Sequence, residues 1–194
     1  MSYQNIIVEK KGKVGKLSIN RPDVRNALNR DTRLEIEQGM IELEEDKDVR
    51  VIVITGVGEK AFCAGADIRD MAEATPLEAI ESAELGKRVF KKVENCKKPV
   101  IAMINGFALG GGCELALSCD IRIASDNAKM GQPEGNLGLI PGVGGTQRLA
   151  RLGGQGLAME LILTGKIIDA HEAFRSGWVN RGGPPSEWMS HREE

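Results

Sequence analysis

Three short apolar runs constrain this chain most: Val51-Ile52-Val53-Ile54, Pro99 to Asn105 (PVIAMIN) and Asp120 to Ser125 (DIRIAS). The first is continuous and β-branched, the pattern of a strand covered on both faces. Helical stretches lie between and before these runs. Asp31 to Lys47 carries Ile36, Met40 and Leu43 at helical spacing and feeds the first strand. A second helix has an explicit start, with Thr75 as N-cap, Pro76 at the first helical position and Glu78 closing a capping box. Leu85, Val89 and Val93 then face a core. Strand and helix alternate as in a series of βαβ units, so the class is α/β.

The ends of the chain read differently. Asn5 to Glu9 and Lys13 to Asn20 alternate β-branched and polar residues around Lys11-Gly12, which predicts a hairpin. Gly144 to Arg151 and Gln155 to Leu163 read as helices, and Asp169 with Glu172 as a second capping box for a short helix reaching Arg175. After Gly177 the pattern fails. The text VNRGGPPSEWMSHREE has Gly-Gly, Pro-Pro and many charges without periodicity, so a core domain over 1–177 and an irregular, disordered tail over 178–194 are expected.

At 194 residues, with 41% hydrophobic and 28% charged residues and a net charge of -2, the chain matches an ordinary soluble globular domain. That balance implies no broad steering of nucleic acid. No stretch approaches the ~20 apolar residues of a spanning helix, and the charged N-terminus lacks an apolar signal core. No membrane partner and a cytoplasmic location are therefore expected. Cys63, Cys96, Cys113 and Cys119 form no CxxC pair and sit among apolar residues and glycines, the setting of buried reduced thiols.

Two glycine-bearing turns each follow an apolar strand: Phe62-Cys63-Ala64-Gly65-Ala66-Asp67 and Gly106-Phe107-Ala108-Leu109-Gly110-Gly111-Gly112. Such turns expose backbone N–H groups at the carboxyl ends of strands, where α/β proteins place ligands. Two readings stand: an oxyanion hole, or tight connections that need small residues for packing. A phosphate loop fits less well, since GGG-C-E lacks the Lys-Ser/Thr ending, and neither turn carries GxGxxG.

Glu114 opens the apolar segment Leu115-Ala116-Leu117, and Glu134 follows Gly131-Gln132-Pro133 in a glycine-rich loop. Twenty residues apart, they cannot share a helix face, but the strand and return between them can bring both carboxylates to one pocket as an acid/base pair. The plainer reading makes Glu114 a stabilising first-turn charge and Glu134 a solvated one. His171 and His191 lie in a capping segment and the irregular tail, poor places for a base or ligand. Ser118 and Ser125 lack a nucleophile turn, and no metal site is expected. Lys91-Lys92 and Lys97-Lys98 read as a solvated helix end, or as a hold on coenzyme phosphates.

At these residues the chain resembles the crotonase (enoyl-CoA hydratase/isomerase) superfamily. The matching stretches are NRPDVRNAL (20–28), AFCAGADI (61–68), KPVIAMINGFALGGGCELALSCDIRIAS (98–125), GQPEGNLGLIPGVGGTQRL (131–149) and LTGKIIDAHEA (163–173). The resemblance implies a spiral of repeated ββα units. It places oxyanion donors on the backbone N–H groups of Ala66 and Gly111, and the catalytic acids on Glu114 and Glu134. Ala64, Gly65, Asp67, Ile68, Gly110, Pro133 and Gly142 would line the substrate. The implied reaction is hydration of a trans-2-enoyl-CoA, with an acyl-CoA thioester as partner and no cofactor, coenzyme A being part of the substrate. A homotrimer or homohexamer and a place in fatty-acid β-oxidation belong to the same expectation.

Both glutamates are present, which favours hydratase over isomerase. Adding water needs a base on oxygen and an acid on carbon, whereas a double-bond shift can be managed by one carboxylate. Where the family continues into further helices that cover the acyl pocket, this text reads GWVNRGGPPSEWMSHREE. A truncated helical region is therefore expected, and a non-catalytic CoA-binding subunit of the same fold is the alternative reading.

Overall fold

The computed structural model of the chain describes residues 3–72 and 74–183. The expected hairpin is present as β1 (Ile6–Lys11) and β2 (Val14–Ile19), paired antiparallel from Ile6↔Ile19 to Lys11↔Val14, with Gly12 in the left-handed region at φ +58°. A 3-10 turn (Pro22–Val24) leads to α1 (Arg30–Glu45), whose N-terminus is capped by the Asn29 side chain accepting from Thr32 N–H. Ile36, Met40 and Leu43 are buried beneath it. β3 (Val51–Gly56) lies between β2 and β5 and is buried over almost its whole length, as its unbroken β-branched run requires.

From β3 onward the chain repeats one move. A strand joins a large sheet, a three-residue strand joins a small one, and helix follows. The first coil is β3, β4 (Ala61–Cys63), α2 (Ile68–Ala72) and α3 (Pro76–Glu94); the second is β5 (Val100–Ile104), β6 (Phe107–Leu109) and α4 (Gly111–Ser118). The third is β7 (Ile121–Ala124), β8 (Lys129–Gly131), a 3-10 turn (Pro133–Leu137), α5 (Gly145–Gly153) and α6 (Gln155–Thr164). β9 (Ile167–Asp169), α7 (Ala170–Arg175) and β10 (Arg181–Gly182) follow. The large sheet runs β1-β2-β3-β5-β7-β10 and the small one β4-β6-β8-β9. This is the α/β spiral of repeated ββα units that the resemblance implies.

The Thr75 capping box forms with both arms. At α7 only the Asp169 arm matches, accepting from Glu172 N–H at 2.8 Å, while the Glu172 carboxylate turns to Lys166 Nζ at 3.0 Å. Lys92 and Lys98 are not a solvated helix end: Lys92 pairs with Glu44 at 2.5 Å, and Lys98 Nζ donates to the carbonyls of Leu43 and Asp46. Both tie the end of α3 to α1. Cys63, Cys113 and Cys119 are buried free thiols, whereas Cys96 is only partly buried.

The boundary expected at Gly177 is corrected by the packing. Trp178 is fully buried and Val179 nearly so, and Arg181 and Gly182 pair in parallel with Ile123 and Ala124 of β7. A buried arginine explains it. Arg122 Nε donates to Trp178 O and its Nη1 to Cys119 O, both at 2.6 Å, while Asn180 Oδ1 accepts the Arg122 backbone N–H. A charged, Gly-rich text hid the role of Trp178, and the guanidinium that holds it belongs to β7, 56 residues earlier. The rest of the expected tail, 184–194 with His191, lies outside the described residues. No helix among the described residues is long and apolar enough to cross a membrane.

Candidate active site

The two glycine turns stand side by side because they leave adjacent strands of the small sheet, β4 and β6, which pair in parallel. At the first turn, Gly65 O accepts from Leu28 N–H at 2.8 Å and Asp67 N–H donates to Leu28 O at 3.1 Å. The peptide groups alternate along this bridge, so the Ala66 N–H between them points the other way, toward β6. At the second turn Gly110, at φ +51° and ψ −125°, is the N-cap of α4, and Gly111 opens the helix with one of its orphan amides. The Ala66 nitrogen lies 3.7 Å from the place a Cβ on Gly111 would occupy, and the Gly111 nitrogen 3.6 Å from that of a Cβ on Gly65. Two amide donors thus meet across one gap, with Gly65 in the left-handed region at φ +103° to make room.

Glu114 sits on the first turn of α4 and is 1% exposed. It is not a free first-turn charge. Its Oε1 accepts from Val143 N–H at 2.8 Å and Gly145 N–H at 2.7 Å, fastening the loop before α5. Burial pushes its carboxyl above the ordinary value, and the two backbone donors, with Arg148 nearby, pull it back. Glu134 stands on the 3-10 turn after β8, partly buried, its Oε1 3.3 Å from the place a Cβ on Gly110 would fill. Its Oε2 is buried without a partner among the described residues. Burial pushes Glu134 up to about 7; its own backbone N–H opposes the rise and the charge of Glu114 adds to it.

The intervening β7 and β8 accomplish this convergence. β8 returns beside β6, Gly110 N–H donates to Gly131 O at 3.0 Å, and the loop bearing Glu134 is delivered to the mouth of the second turn. The other expected residues divide. Gly65 and Gly110 border the gap, Pro133 opens the 3-10 turn that carries Glu134, and Ala64 precedes Gly65 with its N–H given to Arg25 O at 3.0 Å. Ile68, 62% exposed, and Gly142, with open space around it, stand at the surface. Asp67 does not offer its carboxylate to the gap. Oδ2 pairs with Arg21 at 3.2 Å and Oδ1 with Arg69 at 3.4 Å, and although burial would raise its pKa, these partners hold it below the ordinary carboxylate value.

Beneath the turns, burial pushes the Cys63 and Cys113 thiols up to about 12, so neither supplies a thiolate. Ser118 Oγ donates to Leu115 O, and Ser125 Oγ to Ile104 O. The open groove over Gln147, Ala150, Met159 and Ile162 lies on α5 and α6 and contains neither glutamate. Among the described residues there is no cluster of metal-ligating side chains. The stretch NRPDVRNAL stands out in the sequence only for its resemblance; its role, with Arg21 and Asn26 holding the first turn from behind, is not legible there. Paired amides beside one carboxylate fastened as an acceptor and another poised near neutrality can polarise a carbonyl and move protons to and from its neighbouring carbons.

Comparison with known proteins agrees with that chemistry. The chain is 53% identical, over its whole length and 74% of the relative's, to the short-chain-enoyl-CoA hydratase of Clostridium acetobutylicum. It is 54% identical to the crotonyl-CoA hydratase of Syntrophomonas wolfei, covering 97% of this chain and 73% of that one. The crystal structure of an enoyl-CoA hydratase from Bacillus anthracis superposes with a TM-score of 0.93 at 42% identity, covering 96% of this chain and 73% of that one. The enoyl-CoA hydratase/isomerase family model matches residues 9–193, and the chain belongs to that family.

Proposed function

We propose that this protein adds water across the double bond of a trans-2-enoyl-CoA to give a 3-hydroxyacyl-CoA. The observation that supports the reading is Glu134 beside Gly110 and within electrostatic reach of Glu114, next to the neighbouring Ala66 and Gly111 amides. In that gap the thioester carbonyl accepts both N–H groups, and charge moves onto its oxygen as the enolate develops. Water gives its hydroxyl to Cβ and its proton to Glu114, while Glu134 gives its own proton to Cα. The double bond is consumed, two single bonds form, and the pair exchanges its proton to return to the start.

The division of labour follows the electrostatics. Glu114, held by two backbone donors, retains acceptor character, while Glu134, lifted to about 7, carries a proton in much of the population near neutral pH. The active form is the singly protonated pair, in hydration and in the reverse reaction alike. Both directions therefore share one bell-shaped pH profile, falling as pH rises through about 7. The step is redox-neutral and both protons travel on carboxylates, so coenzyme A enters only as part of the substrate. Ala64, Gly65, Gly110 and Pro133 shape the thioester end, with Ile68 and Gly142 further out. A cytoplasmic homotrimer or homohexamer serving fatty-acid β-oxidation completes the reading, supported by family membership.

The test is loss of the enoyl-thioester absorbance of crotonyl-CoA, with parent, Glu114→Gln and Glu134→Gln side by side. Turnover in the parent, reduced ~100-fold or more in either variant, is expected. Migration of the double bond without hydroxyacyl product would make the chain an isomerase. Thioester binding without turnover in the parent would make it a non-catalytic subunit.

A further inference from the structure

We infer that Arg21 and Asn26 are positioning residues for the oxyanion gap, and that the loop from Arg21 to Leu28 is the template that aims the Ala66 N–H. This rests on the oxyanion reading above and adds to it residues that act through the Ala66 amide. The two amides need different support. Gly111 is fixed by α4, an eight-residue helix that it opens, whereas Ala66 precedes only the five-residue α2 and takes its aim from elsewhere.

The loop supplies three main-chain bonds bracketing Ala66: Ala64 N–H to Arg25 O at 3.0 Å, Leu28 N–H to Gly65 O at 2.8 Å and Asp67 N–H to Leu28 O at 3.1 Å. Presenting these groups in that order requires a sharp reversal, made by Arg25 at φ +54° and Asn26 at φ +58°. Consecutive left-handed residues other than glycine persist only where their surroundings over-determine them. Asn26 is 1% exposed and its carboxamide is fully used. Oδ1 accepts Arg21 N–H at 2.9 Å, and Nδ2 donates to Val57 O at 3.1 Å and Ala61 O at 2.8 Å, the latter at the head of β4. Arg21 closes the frame, with Nη1 on Ala27 O at 2.6 Å and Nη2 on Asp67 Oδ2 at 3.2 Å. One guanidinium thus spans from the loop to the residue directly after the donor.

The experiment compares Arg21→Met, Arg21→Lys and Asp67→Asn, with Arg69→Ala as control, since Arg69 is 75% exposed at its side chain and reaches Asp67 only from outside. Two readouts are used besides thermal stability. One is the split between kcat and KM for crotonyl-CoA. The other is the absorption of bound dimethylaminocinnamoyl-CoA, a conjugated thioester whose band moves to longer wavelength as its carbonyl is polarised. Arg21→Met and Asp67→Asn should lower kcat on the order of 10- to 100-fold, the scale of a small misplacement of a catalytic group. KM should stay unchanged and the red shift of the bound probe should shrink. Arg21→Lys should recover part of both, and Arg69→Ala should match the parent. If Arg21→Met does not fold, the isosteric Asp67→Asn carries the same readouts.

Variants that melt earlier but keep the parent's kcat and red shift would overturn the inference and leave the oxyanion reading intact. A parent that binds the probe without any red shift would overturn both.

Discussion

The two turns that meet at the gap perform one task with opposite means. The first, Ala64 to Asp67, is held by hydrogen bonds reaching across sequence from Arg21, Arg25 and Leu28. The second, Gly110 to Glu114, is held by its own helix and by closeness: a Cβ on Gly112 would lie 2.7 Å from the carbonyl carbon of Cys63 and nearer still to its oxygen. One amide is aimed by a polar scaffold, the other by absence of side chains. A spiral that repeats its backbone thus need not repeat its fastenings, because adjacent coils meet different neighbours.

The comparison can be broken from either side. The largest effect is expected at Gly112→Ala, where the new methyl meets backbone that cannot move aside without shifting β4. Destabilisation of about 3 kcal/mol or more, the upper end for overpacking, should appear in a denaturant melt. Asn26→Ala attacks the polar scaffold and leaves the Val57 and Ala61 carbonyls without their donor. About 2–3 kcal/mol should be lost in the same melt, the scale of unmade buried hydrogen bonds. Gly110→Ala should cost about 1–2 kcal/mol, from a backbone conformation that only glycine adopts easily. Its added methyl also crowds Glu134, so hydration of crotonyl-CoA should fall further than the melt alone implies. A Gly112→Ala protein as stable as the parent would remove the claim that closeness holds the second turn.

The smallest effect sharpens rather than breaks. Folded Glu134 keeps its proton to about 7, against an ordinary value of 4.5. Between those values the folded state binds more protons than the unfolded chain, so stability falls as pH rises through that window. Glu134→Gln removes the term. The difference in Tm between variant and parent should shift in the variant's favour from pH 4 to pH 8, and a pH-independent difference would contradict the raised value.

Much of this was legible beforehand. Val51 to Thr55, PVIAMIN and DIRIAS announced the large sheet through their apolar runs, and Thr75, Pro76 and Glu78 spelled out the start of α3. The small sheet was not legible, because strands of three residues such as Lys129–Gly131 have no periodicity to read. Trp178 was missed for a related reason: one indole buried after a glycine makes no pattern. At the site, the residues alone left Glu114 and Glu134 open between an acid/base pair and ordinary charges, and the resemblance chose between them. Asp67 did not reveal that its charge is used by Arg21, since a partner 46 residues away leaves no local trace. Asn26, likewise, is an ordinary loop asparagine until its three partners are seen in place.

Both sheets list their strands in chain order, β1-β2-β3-β5-β7-β10 and β4-β6-β8-β9. Among the described residues no later strand inserts between two earlier ones, so no pairing made early has to reopen. On a ribosome delivering about 5–20 residues per second, each coil can settle on the edge left by the one before it, as thread winds onto a spool. The reactive gap, which needs the loop at Arg21, the turns at Ala66 and Gly111 and the return to Glu134, would then take shape only when the third coil arrives, while α5 to β10 are still to be laid down.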